Sequence, residues 1–155
     1  MIDVESELLS KGDIFLNQTF ENPSSYYKRI CEHLFDEQKI DSEYLESVEK
    51  REKQFPTGLK TGRICVAIPH TDYQHSKTTQ LVITTLKDPV YFRRMDDPSK
   101  ECAVNIIIQI LFDNPKKQLL LLQELMKIIQ NQNFLRKVIK AKDKDEIVNL
   151  FKEGK

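Results

Sequence analysis

The sequence predicts an α/β fold: a single domain with one mixed β-sheet of about five strands, flanked by helices on both faces. Three observations carry this. Apolar residues recur at helical spacing in the first third of the chain and again in the last. Between those regions the period drops to two, or vanishes into β-branched runs of the kind that fill buried strands. No Gly/Ser linker, internal repeat or low-complexity segment divides the 155 residues, so one domain over 1–155 is expected.

The elements follow in chain order. Asp13 to Leu16 (DIFL) reads as a short first strand. Asn22-Pro23-Ser24 opens a helix, with proline in the first turn, and Tyr27, Ile30, Leu34 and Phe35 form its apolar stripe. Asp41 can cap a second helix whose stripe is Tyr44, Val48 and Phe55, ending at the breaker cluster Phe55-Pro56-Thr57-Gly58. From Arg63 the pattern becomes strand-like. Ile64, Val66 and Ile68 point one way, and Cys65 and Ala67 the other, so both faces of this strand should be covered. Leu81 to Leu86 reads as another strand. Lys87-Asp88-Pro89 reads as a turn, and Val90-Tyr91-Phe92 as a short strand after it. Ala103 to Leu111 (AVNIIIQIL) has the composition of a central strand. Pro115 opens a long helix with Leu119, Leu122, Leu125, Met126 and Ile129 as its stripe; Asn133–Ala141 and Asp143–Lys152 supply two more helices.

Composition excludes several classes of function. Lys plus Arg (24) equal Asp plus Glu (24), which argues against nucleic-acid binding through bulk charge. No apolar run approaches the ~20 residues a membrane span needs, so no direct membrane insertion is expected. The acidic start MIDVESELLS is no secretory signal, and three scattered cysteines are no disulfide framework; a reduced, cytoplasmic protein is expected.

Two residues break the apolar logic. Arg51 lies seven residues after Tyr44 and three after Val48, so it points with the buried stripe of its helix. Such an arginine either meets an anion, pairs with a carboxylate, or snorkels to the surface. His70 stands just past a proline at the end of an apolar strand, in Ile64-Cys65-Val66-Ala67-Ile68-Pro69-His70. A neutral imidazole there can be a nucleophile or a structural group. His33, within a helix, and His75, in a polar loop, carry no signal. Cys65, His70 and His75, spaced by five, fit no usual zinc pattern, and no metal site is expected. Neither a G-x-S-x-G elbow nor a phosphate-cradling glycine loop is present.

Arg51-Glu52, then Pro56-Thr57-Gly58-Leu59, then Val66-Ala67-Ile68-Pro69-His70, continued by Leu86 to Phe92 (LKDPVYF), together resemble the enzyme IIA component of the bacterial phosphoenolpyruvate-dependent sugar phosphotransferase system, fructose/mannitol type. The resemblance spans nearly all of the chain. It implies a phosphoryl relay in which His70 is the phosphorylated nucleophile, stabilised by Arg51, Thr57 and Gln118. It further implies a histidine phosphocarrier protein as donor, a cognate enzyme IIB as acceptor and a membrane enzyme IIC beyond it, with no metal or organic cofactor. Pro69-His70-Thr71-Asp72 departs from the P-H-G of fructose and mannitol members and looks more like the galactitol branch. Gln118 stands where those members usually carry a second histidine, so only amide hydrogen bonding carries over there. Similar domains act as regulators, and that alternative stays open.

Overall fold

The computed structural model describes residues 8–153; the acidic start at residues 1–7 lies outside them. The elements are β1 (Leu9–Gln18), α1 (Pro23–Asp36), α2 (Tyr44–Gln54), β2 (Gly58–Lys60), β3 (Cys65–Ala67), β4 (Gln80–Arg93), β5 (Glu101–Leu111), α3 (Pro115–Ile128), α4 (Gln132–Lys140) and α5 (Lys144–Glu153). The five strands form one sheet in the order β1-β4-β5-β3-β2. It is mixed: β1 pairs parallel with β4, and β3 parallel with β5. The β4–β5 and β2–β3 pairs are antiparallel.

Both sheet faces are covered, as the doubly apolar strands require. Val66, Ile68, Ile83, Ile106 and Ile108 pack against Leu121, Leu125, Phe134, Ile147 and Phe151 of α3, α4 and α5. Cys65, Ala67, Val82, Val104 and Ile107 pack against Tyr26, Tyr27, Ile30, Leu34, Tyr44 and Val48 of α1 and α2. Gln109 is wholly buried on β5, and its side chain accepts from the Tyr26 hydroxyl (2.8 Å) while donating to the Tyr44 hydroxyl (3.0 Å). This amide ties both helices to the sheet and leaves no polar group of the trio unpaired.

Local chemistry explains the boundaries. Asn22 caps α1: its side chain accepts from Ser25 N–H, and Ser25 Oγ returns the bond to the cap, with Pro23 in the first turn. Asp41 does not cap α2. Its carboxylate accepts from Glu43 N–H, two residues on, and Glu43 occupies the cap position without a side-chain bond.

The structure departs from the sequence pattern at several points. β4 runs unbroken through Lys87-Asp88-Pro89, because a register shift between Thr85 and Val90 absorbs the proline as a bulge. β2, not anticipated, is a three-residue edge strand following the breaker cluster. Its Gly58 lies so close to β4 that a Cβ would stand 2.6 Å from the Arg93 carbonyl oxygen, a contact only glycine avoids. Phe35, Phe55 and Leu119 are exposed, at 50%, 61% and 63%, while Leu121, absent from the expected α3 stripe, is buried.

Candidate active site

β3 ends at Ala67, but the chain stays tied to both neighbours for two more residues. Ile68 N–H donates to the Thr57 carbonyl (3.4 Å), and the Pro69 carbonyl accepts from Ile110 N–H (3.0 Å). Proline therefore does not abolish the pairing; it removes a donor and keeps an acceptor. His70 follows immediately, at a backbone position fixed from two sides.

The ring is recessed. His70 is only 8% exposed. Phe112 packs against it edge to face, with ring centroids 5.9 Å apart. His70 lies in a cavity of about 430 Å³ also lined by Arg51, Phe55, Thr57, Ile68, Met95, Leu122 and Met126. Nδ1 lies 2.8 Å from the Ile68 carbonyl oxygen. A carbonyl only accepts, so Nδ1 carries the proton and Nε2 of the neutral ring keeps its lone pair. Burial lowers the His70 pKa below the ordinary 6.5; the Ile68 carbonyl opposes this, and the Arg51 charge adds to the lowering. His70 is therefore a neutral imidazole at neutral pH, with one nitrogen locked as a donor and the other available.

Arg51 shares the cavity and forms no ion pair among the described residues; its guanidinium carbon stands 5.4 Å from the Phe55 ring centroid. The salt-bridge reading of this inward arginine is not realised, and a cation beside a neutral nucleophile is the arrangement an incoming anion needs. Thr57 lines the cavity, but its hydroxyl donates to Glu52 Oε1 (2.8 Å) and its N–H to Glu52 Oε2 (2.8 Å). Its hydroxyl proton is thus already committed. Gln118 is half-buried in the first turn of α3 and is not among the lining residues; Leu122, one turn later, is. The structure thus brings His70, Arg51 and Thr57 together and leaves Gln118 at a remove.

Glu52 was given no role by its position in the sequence, because the residue it grips lies beyond a helix end. Burial pushes its carboxyl up to about 7 against the lowering effect of the Thr57 bonds. Outside the site, Asp13, His33 and Glu37 converge closely enough to share a cation. Lys39 Nζ is already there, 2.5 Å from Asp13 and 3.3 Å from Glu37, so a lysine supplies that charge.

The fold and this site agree with the phosphotransferase-system enzyme IIA class. Residues 7–154 match the family described as phosphoenolpyruvate-dependent sugar phosphotransferase system, EIIA 2, and the chain belongs to it. It is 32% identical over 89 residues to the galactitol-specific EIIA component of Escherichia coli, a stretch covering 57% of this chain and 59% of that protein. The transcriptional regulator ManR of Bacillus subtilis is 30% identical over 77 residues, covering 50% of this chain and 11% of the regulator. Among solved structures, enzyme IIAMTL in its complex with phosphorylated enzyme IIBMTL from Escherichia coli superposes with a TM-score of 0.75 at 20% identity, covering 95% of this chain and 98% of that one. At that identity the likeness speaks for the fold, and the mixed α/β sheet agrees. Among the described residues, no helix is long and apolar enough to cross a membrane.

Proposed function

We propose that the protein is a phosphohistidine relay. His70 accepts a phosphoryl group from a histidine phosphocarrier protein and passes it to a cognate enzyme IIB, which serves a membrane enzyme IIC carrying galactitol or a related sugar or polyol. The observation that carries this reading is the placing of a neutral, tautomer-locked His70 in one cavity with Arg51, which has no ion-pair partner among the described residues. The Nε2 lone pair attacks phosphorus in line as the donor's P–N bond breaks, and the departing ring takes back its electron pair. Nδ1 keeps its proton, hydrogen-bonded to the Ile68 carbonyl, so the phosphorylated ring is an imidazolium; a donor ring protonated on its free nitrogen departs as neutral imidazole, and no proton moves between the rings. Arg51 balances the charge of the transferring oxygens. Similarity to the galactitol-specific component supports the polyol assignment.

A second reading has its own support in the stretch shared with ManR: phosphorylation of His70 would then control a target protein rather than feed transport.

The test is incubation with carrier protein phosphorylated from phosphoenolpyruvate, followed by addition of candidate enzyme IIB. Label should appear on His70, be lost in acid and kept in base, and move on to enzyme IIB. His70→Ala should fold and stay unlabelled. Label on His33 or His75, or on His70→Ala, overturns the assignment. Label on His70 that no enzyme IIB removes favours the regulatory reading.

A further inference from the structure

We propose that Glu52 is a positioning residue for His70: its carboxylate clamps Thr57, and through Thr57 and Ile68 it fixes the carbonyl that holds the imidazole ring. The inference rests on His70 being the phosphoryl acceptor.

The connection can be traced bond by bond. Glu52 takes both donors of Thr57, N–H and Oγ–H, at 2.8 Å each. The Thr57 carbonyl accepts Ile68 N–H at 3.4 Å. The Ile68 carbonyl accepts the His70 Nδ1 proton at 2.8 Å. Each step crosses one residue or less, and Thr57, Ile68 and His70 are all buried, at 4%, 1% and 8%. Serial hydrogen bonds in a dry region polarise one another, so a change at the first is felt at the last.

Other contacts flank this turn without touching the Thr57 donors: Arg93 donates to the Lys53 carbonyl and Met95 N–H to the Gly58 carbonyl (2.9 Å). α2 ends at Phe55, whose N–H bonds back to Arg51, and the Phe55 side chain is exposed. Pro56 has no N–H to give. Without Glu52, both Thr57 donors would be buried and unpaired. The consecutive residues at the end of α2 thus face different ways. Arg51 enters the His70 cavity, whereas Glu52 lies behind it in a second cavity, with Tyr27, Lys53, Phe92 and Arg93.

The ionised carboxylate can accept both Thr57 bonds, whereas the protonated acid has one good acceptor oxygen left. The clamp is therefore complete only in the charged form. The titratable groups around this second cavity are Tyr27 from α1, Glu49 and Lys53 from α2, Arg93 from β4 and Glu101 from β5; of these, Tyr27 and Arg93 lower the Glu52 pKa against its burial. Burial places the transition near pH 7.

The experiment compares wild type with Glu52→Gln, whose amide offers one acceptor oxygen at every pH. Transfer to His70 should be similar in the two proteins at pH 6, and wild type should be faster by about tenfold at pH 8. In parallel, ¹⁵N NMR of the His70 ring at pH 8 should report a single Nδ1–H tautomer in wild type and a mixture in the variant. The NMR measurement needs no carrier protein, so it tests the positioning role even if His70 never accepts phosphate, an outcome that would sink only the relay. Should Glu52→Gln fail to fold, Thr57→Val removes the hydroxyl bond alone and should give a smaller loss on the same pH limb. Equal rates at pH 8 together with unchanged ring signals overturn the proposal, even if the variant melts earlier.

Discussion

At the scale of single residues, the site is a set of assigned hydrogen bonds with one cation left over. Arg51 is that cation, and its removal should be felt in transfer, not in stability. A charge-assisted hydrogen bond is worth roughly 1.5–3 kcal/mol, or about 10- to 100-fold in rate. Arg51→Ala should slow phosphorylation of His70 by that factor and leave the melting temperature close to wild type. An early-melting variant that transfers normally once folded would reduce Arg51 to a brace for α2. Gln118 makes a smaller claim. It sits one helical turn before Leu122, short of the cavity wall, and supplies only a neutral amide. Gln118→Ala should slow transfer by about tenfold or less, consistent with one neutral hydrogen bond of roughly 0.5–1.5 kcal/mol. Gln118→His should add a pH dependence near neutrality if the side chain reaches the phosphoryl group. Rates from pH 6 to 8 that superimpose for all three proteins would remove residue 118 from the site.

At the scale of elements, the sequence was informative wherever periodicity met an unambiguous partner. The central strand β5, the capped and proline-started α1, and the strand that delivers His70 were all legible from their own residues. The inward turn of Arg51 followed from helical geometry alone. What was not legible depended on residues distant in sequence. β2 exists because Gly58 lets the chain approach Arg93, which no local pattern announces. The Thr57 hydroxyl looked free because its partner, Glu52, lies on the other side of a proline. The recess around His70 is built by Phe112 from the end of β5 and by Leu122 and Met126 from α3. Glu52 also has a measurable signature at this scale. An ordinary glutamate titrates near 4.3, and burial raises this one to about 7. The protonated form is thus favoured in the folded state, and that contribution is fully present below the ordinary glutamate range. It is lost as pH rises through 7. Relative to wild type, Glu52→Gln should therefore gain stability between pH 5 and pH 8, by on the order of 2–3 kcal/mol. Denaturant melts at several pH values check this; a constant difference between the two proteins would place the Glu52 transition elsewhere. The same ionisation that completes the clamp on Thr57 is the one that burial opposes.

For the whole molecule, the strand order has a consequence in time. β4 and β5 pair antiparallel across a short connection, Arg94 to Lys100, so their contacts close a small loop. β1 and β4 are separated in sequence by α1, α2, β2 and β3, so their pairing closes a long loop. Loop-closure entropy disfavours such long-range pairings until other contacts support them. In pulsed hydrogen exchange during refolding, amides of β4 and β5 should gain protection before those of β1; simultaneous protection would mean that the sheet closes in one step. On a ribosome the order is stricter still. β1 is synthesised before β4 and waits for a partner strand that has not yet been translated, so during that interval its backbone N–H and C=O groups have no neighbouring strand to bond.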